Sequence, residues 1–276
     1  SGEPGPLAQA IAAIDTALCD LAAQRAGLPL WRWLGGVSPT VGVYASGINP
    51  DAPEAMALRQ RDAGHRAFKI KLGFGTATDL ANLARVREAI GVDALLAADV
   101  NQGWTLAEAL ARAQALTPFN LAWLEEPLRA DVAWSDWQRL ASACTMPLAG
   151  GENIAGVDTF DAAVAAGALG VIQPDLAKWG GLSGWMEVAR AARAAGRRVC
   201  PHYLGGGIGL LASAHALAAL GGDGLLEIDS NPNPLRELMC GAAGQVADGR
   251  VTLTEAPGLG VPPAGWAAID AWRRPH

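Results

Sequence analysis

The sequence predicts a closed parallel (β/α) barrel of the TIM type, and three observations carry this prediction. Short apolar runs alternate with helical patterns, giving eight candidate strands with a helix after most of them. Three consecutive apolar runs end in a carboxylate, at Asp99, Glu125 and Glu152, which are 26 and 27 positions apart. That interval fits one strand, one helix and two short loops. The 276 residues suffice for one barrel, which typically needs ~250 residues.

The first predicted element is a helix over 6–26, which ends at Gly27 and Pro29. The apolar residues that recur on one face of this helix are Ile11, Ile14, Leu18 and Leu21. The segment 31–36 indicates a short amphipathic turn. The predicted strands cover 41–45, 67–72, 95–100, 122–126, 148–151, 171–173, 199–201 and 225–228. The predicted helices between them cover roughly 53–63, 78–91, 105–116, 134–143, 156–166, 181–195 and 208–220. The segment 249–263 is extended and loop-like, and we expect it to leave the barrel.

Composition excludes several classes of protein. The net charge of −6 and the lack of a basic stripe argue against a nucleic-acid partner. The four cysteines lie far apart without CxxC spacing, which favours reduced thiols in a cytoplasmic protein over disulfides or a zinc site. We see no signal peptide and no uninterrupted apolar run of membrane-spanning length, so we expect no membrane partner.

Two lysines share one face of the second predicted strand. Side chains alternate across a strand, so Lys69 and Lys71 point into the barrel while Phe68, Ile70 and Leu72 face the helices. Two neighbouring buried ammonium groups should lower each other's pKa, which would help one act as a base. The alternative is an ordinary pair of surface lysines, which the apolar neighbours disfavour.

The three strand-end carboxylates predict a metal site. Asp99, Glu125 and Glu152 suit Mg²⁺, which takes oxygen ligands, and the absence of Cys and His among them argues against zinc. A single such carboxylate would more often be a helix cap or an ion-pair partner. Glu126 stands beside Glu125, so the choice between these two ligands stays open.

The later strand ends add Asp175, Lys178, His202 and Glu227. A histidine alone is more often a satisfied core residue. Asp175 changes this for His202, because a carboxylate on a neighbouring strand would fix the tautomer and support the imidazolium. The glycine run 205–209 has two interpretations, a phosphate cradle or a closely packed loop, and its position after the seventh strand favours the loop.

Together these stretches resemble the enolase superfamily, and within it the mandelate racemase group. The matching segments are AIDTALCDLAAQRAGLPLWRWLGG, KIK, DVNQGW, EEP, GEN, PDLAKWGGLSG, PHYLGGGIG and LLEID. The resemblance implies a (β/α)₇β barrel, Mg²⁺ held by Asp99, Glu125 and Glu152, and Lys71 as one base. It further implies the roles of the remaining residues: His202 with Asp175 as the second base, Lys69 near the substrate carboxylate, a protonated Glu227 bonded to the developing enolate, and Lys178 as a supporting lysine. We expect Asn101 and Lys178 to contact the substrate.

The resemblance also implies that most of an N-terminal capping domain is missing from this chain. Residues 1–36 would then be the helix linking cap to barrel, 37–248 the barrel and 249–276 an extension toward the cap.

The implied activity is Mg²⁺-dependent removal of the proton α to a carboxylate. We expect dehydration of an acid sugar or another hydroxy acid. A racemase or epimerase, a non-catalytic ligand-binding barrel and a nicotinamide-dependent oxidoreductase are the alternatives. The expected partners are a small-molecule carboxylate substrate and further copies of the chain in a homo-oligomer.

Overall fold

A ring of parallel strands surrounded by helices forms the body of the protein. The structure, a computed structural model, describes residues 5–261 and 263–272. The strands are β1 Thr40–Ile48, β2 Ala67–Lys71, β3 Leu95–Asp99, β4 Leu124–Glu125, β5 Leu148–Gly150, β6 Leu169–Ile172, β7 Arg198–Val199, β8 Leu225–Asp229 and β9 Arg250–Thr252. The helices are α1 Gly5–Arg25, α2 Leu30–Trp33, α3 Pro53–Asp62, α4 Thr76–Ile90, α5 Leu106–Leu116, α6 Trp134–Ala143, α7 Val157–Ala166, α8 Gly181–Ala194, α9 Gly207–Leu220, α10 Pro234–Met239 and α11 Pro263–Trp272.

The barrel is nearly closed, which confirms the predicted fold class. The neighbouring strands β7-β6-β5-β4-β3-β2-β1-β8 are hydrogen-bonded in that order and parallel throughout. Side chains bridge the remaining seam between β7 and β8. The backbone N–H of Leu225 donates to Sγ of Cys200 at 3.4 Å, and that of Tyr203 donates to Glu227 at 3.0 Å.

The two faces of each strand have the environments that alternation predicts. Phe68, Ile70 and Leu72 belong to the large apolar cluster between strands and helices. The interior of the barrel holds a separate layer of mostly small residues, which comprises Tyr44, Ala67, Ala97, Trp123, Ala149, Val171 and Cys200. This layer fills the barrel below the strand ends, so polar side chains nearer the carboxyl ends meet above it.

The C-terminal segment differs from its prediction. It does not leave the barrel at once, because β9 pairs antiparallel with β1, with Val251 opposite Val41. Val251 and Leu253 are buried there, which explains why the chain returns. Residues 262 and 273–276 of the predicted extension lie outside the described residues, as do residues 1–4 of the predicted linker.

Helix α1 begins and ends one residue earlier than predicted, and it leaves its apolar face exposed. Ile11 and Ile14 are 56% and 62% exposed, whereas the buried positions are small or polar. By length and composition alone α1 could cross a membrane, although polar residues interrupt its apolar run, as Asp15 and Asp20 do. Core helices of soluble proteins and signal sequences can have the same length and apolar composition. In the structure α1 packs on α8, where Asp15 accepts hydrogen bonds from the N–H and hydroxyl groups of Ser183.

Candidate active site

Strand pairing places three of the predicted residues side by side. Lys71 is in register with Asp99, and Asp99 is in register with Glu125, along β2, β3 and β4. Register partners in a parallel sheet project to the same face. All three side chains therefore point into the mouth of the barrel at its carboxyl end.

Lys71 is held by two oxygen acceptors from the end of β3. Its Nζ donates to Oδ2 of Asp99 at 2.6 Å and to Oδ1 of Asn101 at 2.7 Å. Asn101 has a left-handed backbone, with φ of 48°, and its N–H donates to Oδ1 of Asp99 at 2.8 Å. Asn101, predicted to touch the substrate, thus orients the ammonium group of Lys71 in this arrangement.

Lys69 lies deeper, surrounded by acidic groups. Its Nζ lies 2.6 Å from Oε1 of Glu125, 2.8 Å from Oε1 of Glu227 and 3.6 Å from Oδ2 of Asp99. Burial alone would lower the pKa of Lys69, but Glu125 and Glu227 raise it well above its usual range. The expectation that the paired lysines lower each other's pKa is therefore wrong for Lys69, because the carboxylates lie nearer to it.

Glu125 is fixed by two donors that the sequence analysis did not assign to it, Gln173 and Trp123. Its Oε2 accepts from Nε2 of Gln173 at 2.6 Å and from the indole N–H of Trp123 at 3.2 Å. Burial raises the pKa of Glu125 to about 7, with Lys69 opposing and Asp99 adding to the rise. Trp123 stands two positions before Glu125 on the same strand face, a spacing that marks it as a neighbour. Gln173 directly follows β6, and its contact with Glu125 could be found only from the fold.

His202 contacts carboxylates through both ring nitrogens. Its Nδ1 lies 2.7 Å from Oδ2 of Asp175, the contact that the sequence led us to expect. Asp175 also accepts from the backbone N–H groups of Ala177 and Lys178, which fixes its orientation. The Nε2 atom of His202 lies 2.7 Å from Oε2 of Glu152. Burial opposes the charged imidazolium, but Glu227 and Glu152 raise the pKa of His202 well above its usual range.

Glu152 sits between two cationic groups. Burial would raise its pKa, but the adjacent His202 lowers it well below its usual range. Nζ of Lys178 lies 3.9 Å from Oε1 of Glu152. Lys178 therefore approaches a predicted metal ligand, and its predicted supporting and substrate-binding roles stay predictions.

Glu227 is ionised in this arrangement, contrary to the protonated form that we predicted. Burial would raise its pKa, but Lys69 and His202 lower it to about 2. Glu227 also accepts a hydrogen bond from the N–H of Tyr203, which favours the charged form. The prediction failed because Lys69 from β2 and His202 from the loop after β7 both lie near Glu227. The sequence does not contain the distances between these groups.

Glu126 is an additional buried acid at the site. Its side chain is only 2% exposed, and both carboxylate oxygens accept from Nδ2 of Asn153, at 3.1 and 2.8 Å. Burial, together with the charges of Glu152 and Glu125, raises the pKa of Glu126 to about 8. The paired glutamates of the EEP segment were the sequence signal for this residue.

The acidic groups fit a hard divalent cation in chemistry and charge. Asp99, Glu125 and Glu152 offer oxygen donors only, and burial, together with the charges of neighbouring acids, raises the pKa of Glu125, so a bound cation would favour its charged form. Among the described residues no three acidic, histidine or cysteine groups already have metal-ligand spacing. Each of the three carboxylates is instead drawn to a cationic side chain, respectively Lys71, Lys69 and His202.

The glycine run after β7 packs around Tyr203. A Cβ atom at Gly205 or Gly209 would collide with the phenol ring, and one at Gly207 would collide with the backbone of α10. The ring hydroxyl donates to the carbonyl of Gly206 at 2.8 Å. These contacts favour the closely packed loop over a phosphate cradle.

The remaining histidines among the described residues, His65 and His215, are buried away from the candidate site. Nδ1 of His215 accepts from the N–H of Trp31 at 2.9 Å, and Nε2 lies 3.2 Å from the carbonyl of Leu259. Burial lowers the pKa of His215 to about 4, so the ring is neutral. His65 is likewise buried beside the carbonyl of Gln60.

Comparison with known proteins agrees with the fold and the motifs. The family model described as enolase C-terminal domain-like matches residues 52–267. A curated relative, the D-galactarolactone cycloisomerase of Agrobacterium fabrum, is 33% identical over 94% of this chain and 73% of its own length. The chain spans 61% of another relative, the 3,6-anhydro-alpha-L-galactonate cycloisomerase of Streptomyces coelicolor, at 36% identity over 80% of this chain. Other relatives at 30–33% identity are named dehydratases and epimerases.

Solved structures give the same result. A mandelate racemase/muconate lactonizing enzyme from Bordetella bronchiseptica is 60% identical, with a TM-score of 0.94 over 98% of this chain and 75% of its own. A racemase from Streptomyces coelicolor with bound magnesium is 32% identical, with a TM-score of 0.82 over 96% of this chain and 72% of its own. This chain therefore belongs to the mandelate racemase and muconate lactonizing enzyme branch of the enolase superfamily, a family of lyases and isomerases.

Proposed function

We propose that this protein removes the proton α to the carboxylate of an acid sugar or related hydroxy acid and then expels an oxygen from the β carbon. The observation that carries the proposal is the pairing of a lysine and a histidine with acidic groups at one barrel mouth. Lys71 contacts Asp99 at 2.6 Å, and His202 contacts Asp175 and Glu152 at 2.7 Å each. The two bases come from β2 and the end of β7, which are not neighbours in the barrel.

The α proton of a carboxylate is weakly acidic, so charge must be stabilised as the enolate forms. Asp99, Glu125 and Glu152 would hold Mg²⁺, which as a Lewis acid supplies positive charge at the substrate carboxylate. Lys69 is fixed and cationic below the site, and it adds positive charge without needing to move. Glu227 stays beside Lys69, so its role in our proposal is to orient that ammonium group rather than to donate a proton.

Proton transfer is divided between the two bases. Lys71 in its neutral form accepts the α proton, and Asn101 and Asp99 fix its position. His202 in its charged form gives the Nε2 proton to the departing β oxygen as the C–O bond breaks. Asp175 accepts a hydrogen bond from Nδ1–H of His202, and this contact orients the ring so that Nε2–H faces the substrate. The resulting enol then tautomerises to a 2-keto acid.

The same steps account for dehydratases and cycloisomerases alike. If the departing oxygen is a hydroxyl, water is lost. If it belongs to a ring, the ring opens and no water is lost. Relatives carry both names, and the chain resembles cycloisomerases at 33% and 36% identity. We therefore include sugar lactones and anhydro sugar acids in the proposed substrate class.

A panel of aldonic acids, aldaric acids, their lactones and anhydro sugar acids tests this proposal. We expect 2-keto acid from at least one member with Mg²⁺ and none with chelator, measured by a carbonyl-specific assay. The α proton should exchange with deuterium in D₂O. Exchange with inversion but without 2-keto acid would support the alternative, an epimerase in which His202 reprotonates the α carbon. Binding of ligand without exchange or turnover would support the non-catalytic alternative.

The predicted homo-oligomer and cytoplasmic location stay predictions.

A further inference from the structure

The second glutamate of the pair at the end of β4 has a backbone conformation that needs a local cause. Glu126 has φ of 39°, a left-handed value that is unfavourable for a residue with a side chain. Pro127 follows and further restricts the residue before it. Such a conformation persists only where the surroundings hold it, and it recurs at functional sites.

Backbone hydrogen bonds hold Glu126 between the neighbouring strand ends. Its N–H donates to the carbonyl of Ala149 on β5 at 3.0 Å, and its carbonyl accepts from the N–H of Gln102 after β3 at 2.7 Å. The ends of β3, β4 and β5 are therefore joined through this one residue. These are the three strand ends that carry Asp99, Glu125 and Glu152.

The side chain of Glu126 adds a second bridge toward Glu152. Both of its oxygens accept from Nδ2 of Asn153, and the same nitrogen lies 3.3 Å from Oε1 of Glu152. Glu126 directly follows Glu125, and Asn153 directly follows Glu152. A single amide group thus joins the two loops that present two of the proposed metal ligands.

We infer that Glu126 and Asn153 form a positioning pair, which sets the relative placement of Glu125 and Glu152 for binding Mg²⁺. The inference rests on the proposed function, and it assigns the pair no part in proton transfer. Groups that orient metal ligands typically contribute 10- to 100-fold to metal affinity. The contact with Asn153 limits the rotation of the Glu152 side chain further, so less rotational freedom has to be lost when the cation binds.

Isothermal titration calorimetry tests the inference. The metal-free protein is titrated with MgCl₂, and the dissociation constant of Mg²⁺ is measured for each variant. We expect Asn153→Ala to weaken Mg²⁺ binding about 10- to 100-fold, and Glu126→Gln to weaken it less because one amide oxygen still accepts from Asn153. The double variant should bind about as weakly as Asn153→Ala alone, since the two residues act as one unit. Asn82→Ala is the control, because the Asn82 side-chain amide also donates to an oxygen, the carbonyl of Pro50 after β1, and does not contact the ends of β3, β4 and β5.

The melting temperature of each variant without metal shows whether the substitution impairs folding rather than metal binding. If both site variants bind Mg²⁺ within twofold of wild type, the inference is wrong and the proposed metal site stands. If both fail to fold while Asn82→Ala folds, the pair is structural and the inference is also wrong. If folded wild-type protein does not bind Mg²⁺, the proposed function itself fails and the inference fails with it.

Discussion

The Nε2 atom of His202 lies 2.7 Å from Oε2 of Glu152, so a proposed proton donor touches a proposed metal ligand. A similar contact joins Lys71 to Asp99 on the other side of the site. Both bases therefore use the carboxylates that the proposed cation would use. In this arrangement the acidic cluster is paired with the same groups that would exchange protons with the substrate.

The two bases should differ in which step they control. Lys71→Ala should remove α-proton exchange and 2-keto acid formation together, lowering both about 10²- to 10⁴-fold, because no group remains to accept the proton. His202→Asn should retain exchange and lose 2-keto acid formation by a similar factor. Proton NMR in D₂O measures exchange, and a carbonyl assay measures product. His65→Gln, another buried histidine, is the control. Equal loss of both signals in His202→Asn would contradict the division of roles.

His215 should make stability depend on pH. Its pKa is about 4 in the folded protein and about 6.5 when unfolded, so the unfolded chain binds the extra proton as the pH falls. The stabilising contribution is complete above about pH 6.5 and is lost progressively toward pH 4. Its full size is about 3 kcal/mol, since each pKa unit corresponds to about 1.4 kcal/mol.

Urea unfolding of wild type and His215→Gln at pH 7.0 and pH 4.5 measures this contribution. We expect the variant to be clearly less stable at pH 7.0, because it loses the bonds to Trp31 and Leu259. The difference should shrink at pH 4.5, where wild type has lost most of its advantage. The same difference at both pH values would show that His215 is not the titrating group.

The packing around Tyr203 predicts different outcomes for two nearby glycines. Gly209→Ala places a methyl group in the Tyr203 ring, and we expect a loss of about 1–3 kcal/mol in the free energy of unfolding. Activity should fall as well, because Tyr203 adjoins His202. Gly206→Ala meets only Leu235 at an ordinary 3.7 Å and has a negative φ, so we expect a change within about 0.5 kcal/mol. Chemical unfolding of the two variants decides the point, and equal stability would refute the packing explanation.

Much of the fold could be predicted because the apolar spacing of each segment indicates the same alternation of strands and helices as its neighbours. Helix α6 has the predicted bounds, Trp134–Ala143, and α9 differs by one residue at its start. The strand ends were also identifiable, because a carboxylate after a buried apolar run has few structural explanations. The contact between Asp175 and His202 followed from the order of the strands alone.

The remainder depends on distances between strands, which sequence does not contain. The pairing of β9 with β1 rests on a three-residue segment whose partner lies more than two hundred positions away. The charge states of Lys69 and Glu227 depend on groups contributed by several strands. The apolar face of α1 has helical spacing, which indicates a helix but not what covers it.

The location of a bound cation is the most direct test of the central claim. Crystals of the protein with Mn²⁺ in place of Mg²⁺ would show the ion by its anomalous scattering. We predict one strong peak within coordination distance of carboxylate oxygens from Asp99, Glu125 and Glu152, with Lys71 and His202 on either side of it. A peak held by other residues, or no peak in crystals of active protein grown with Mn²⁺, would contradict the account.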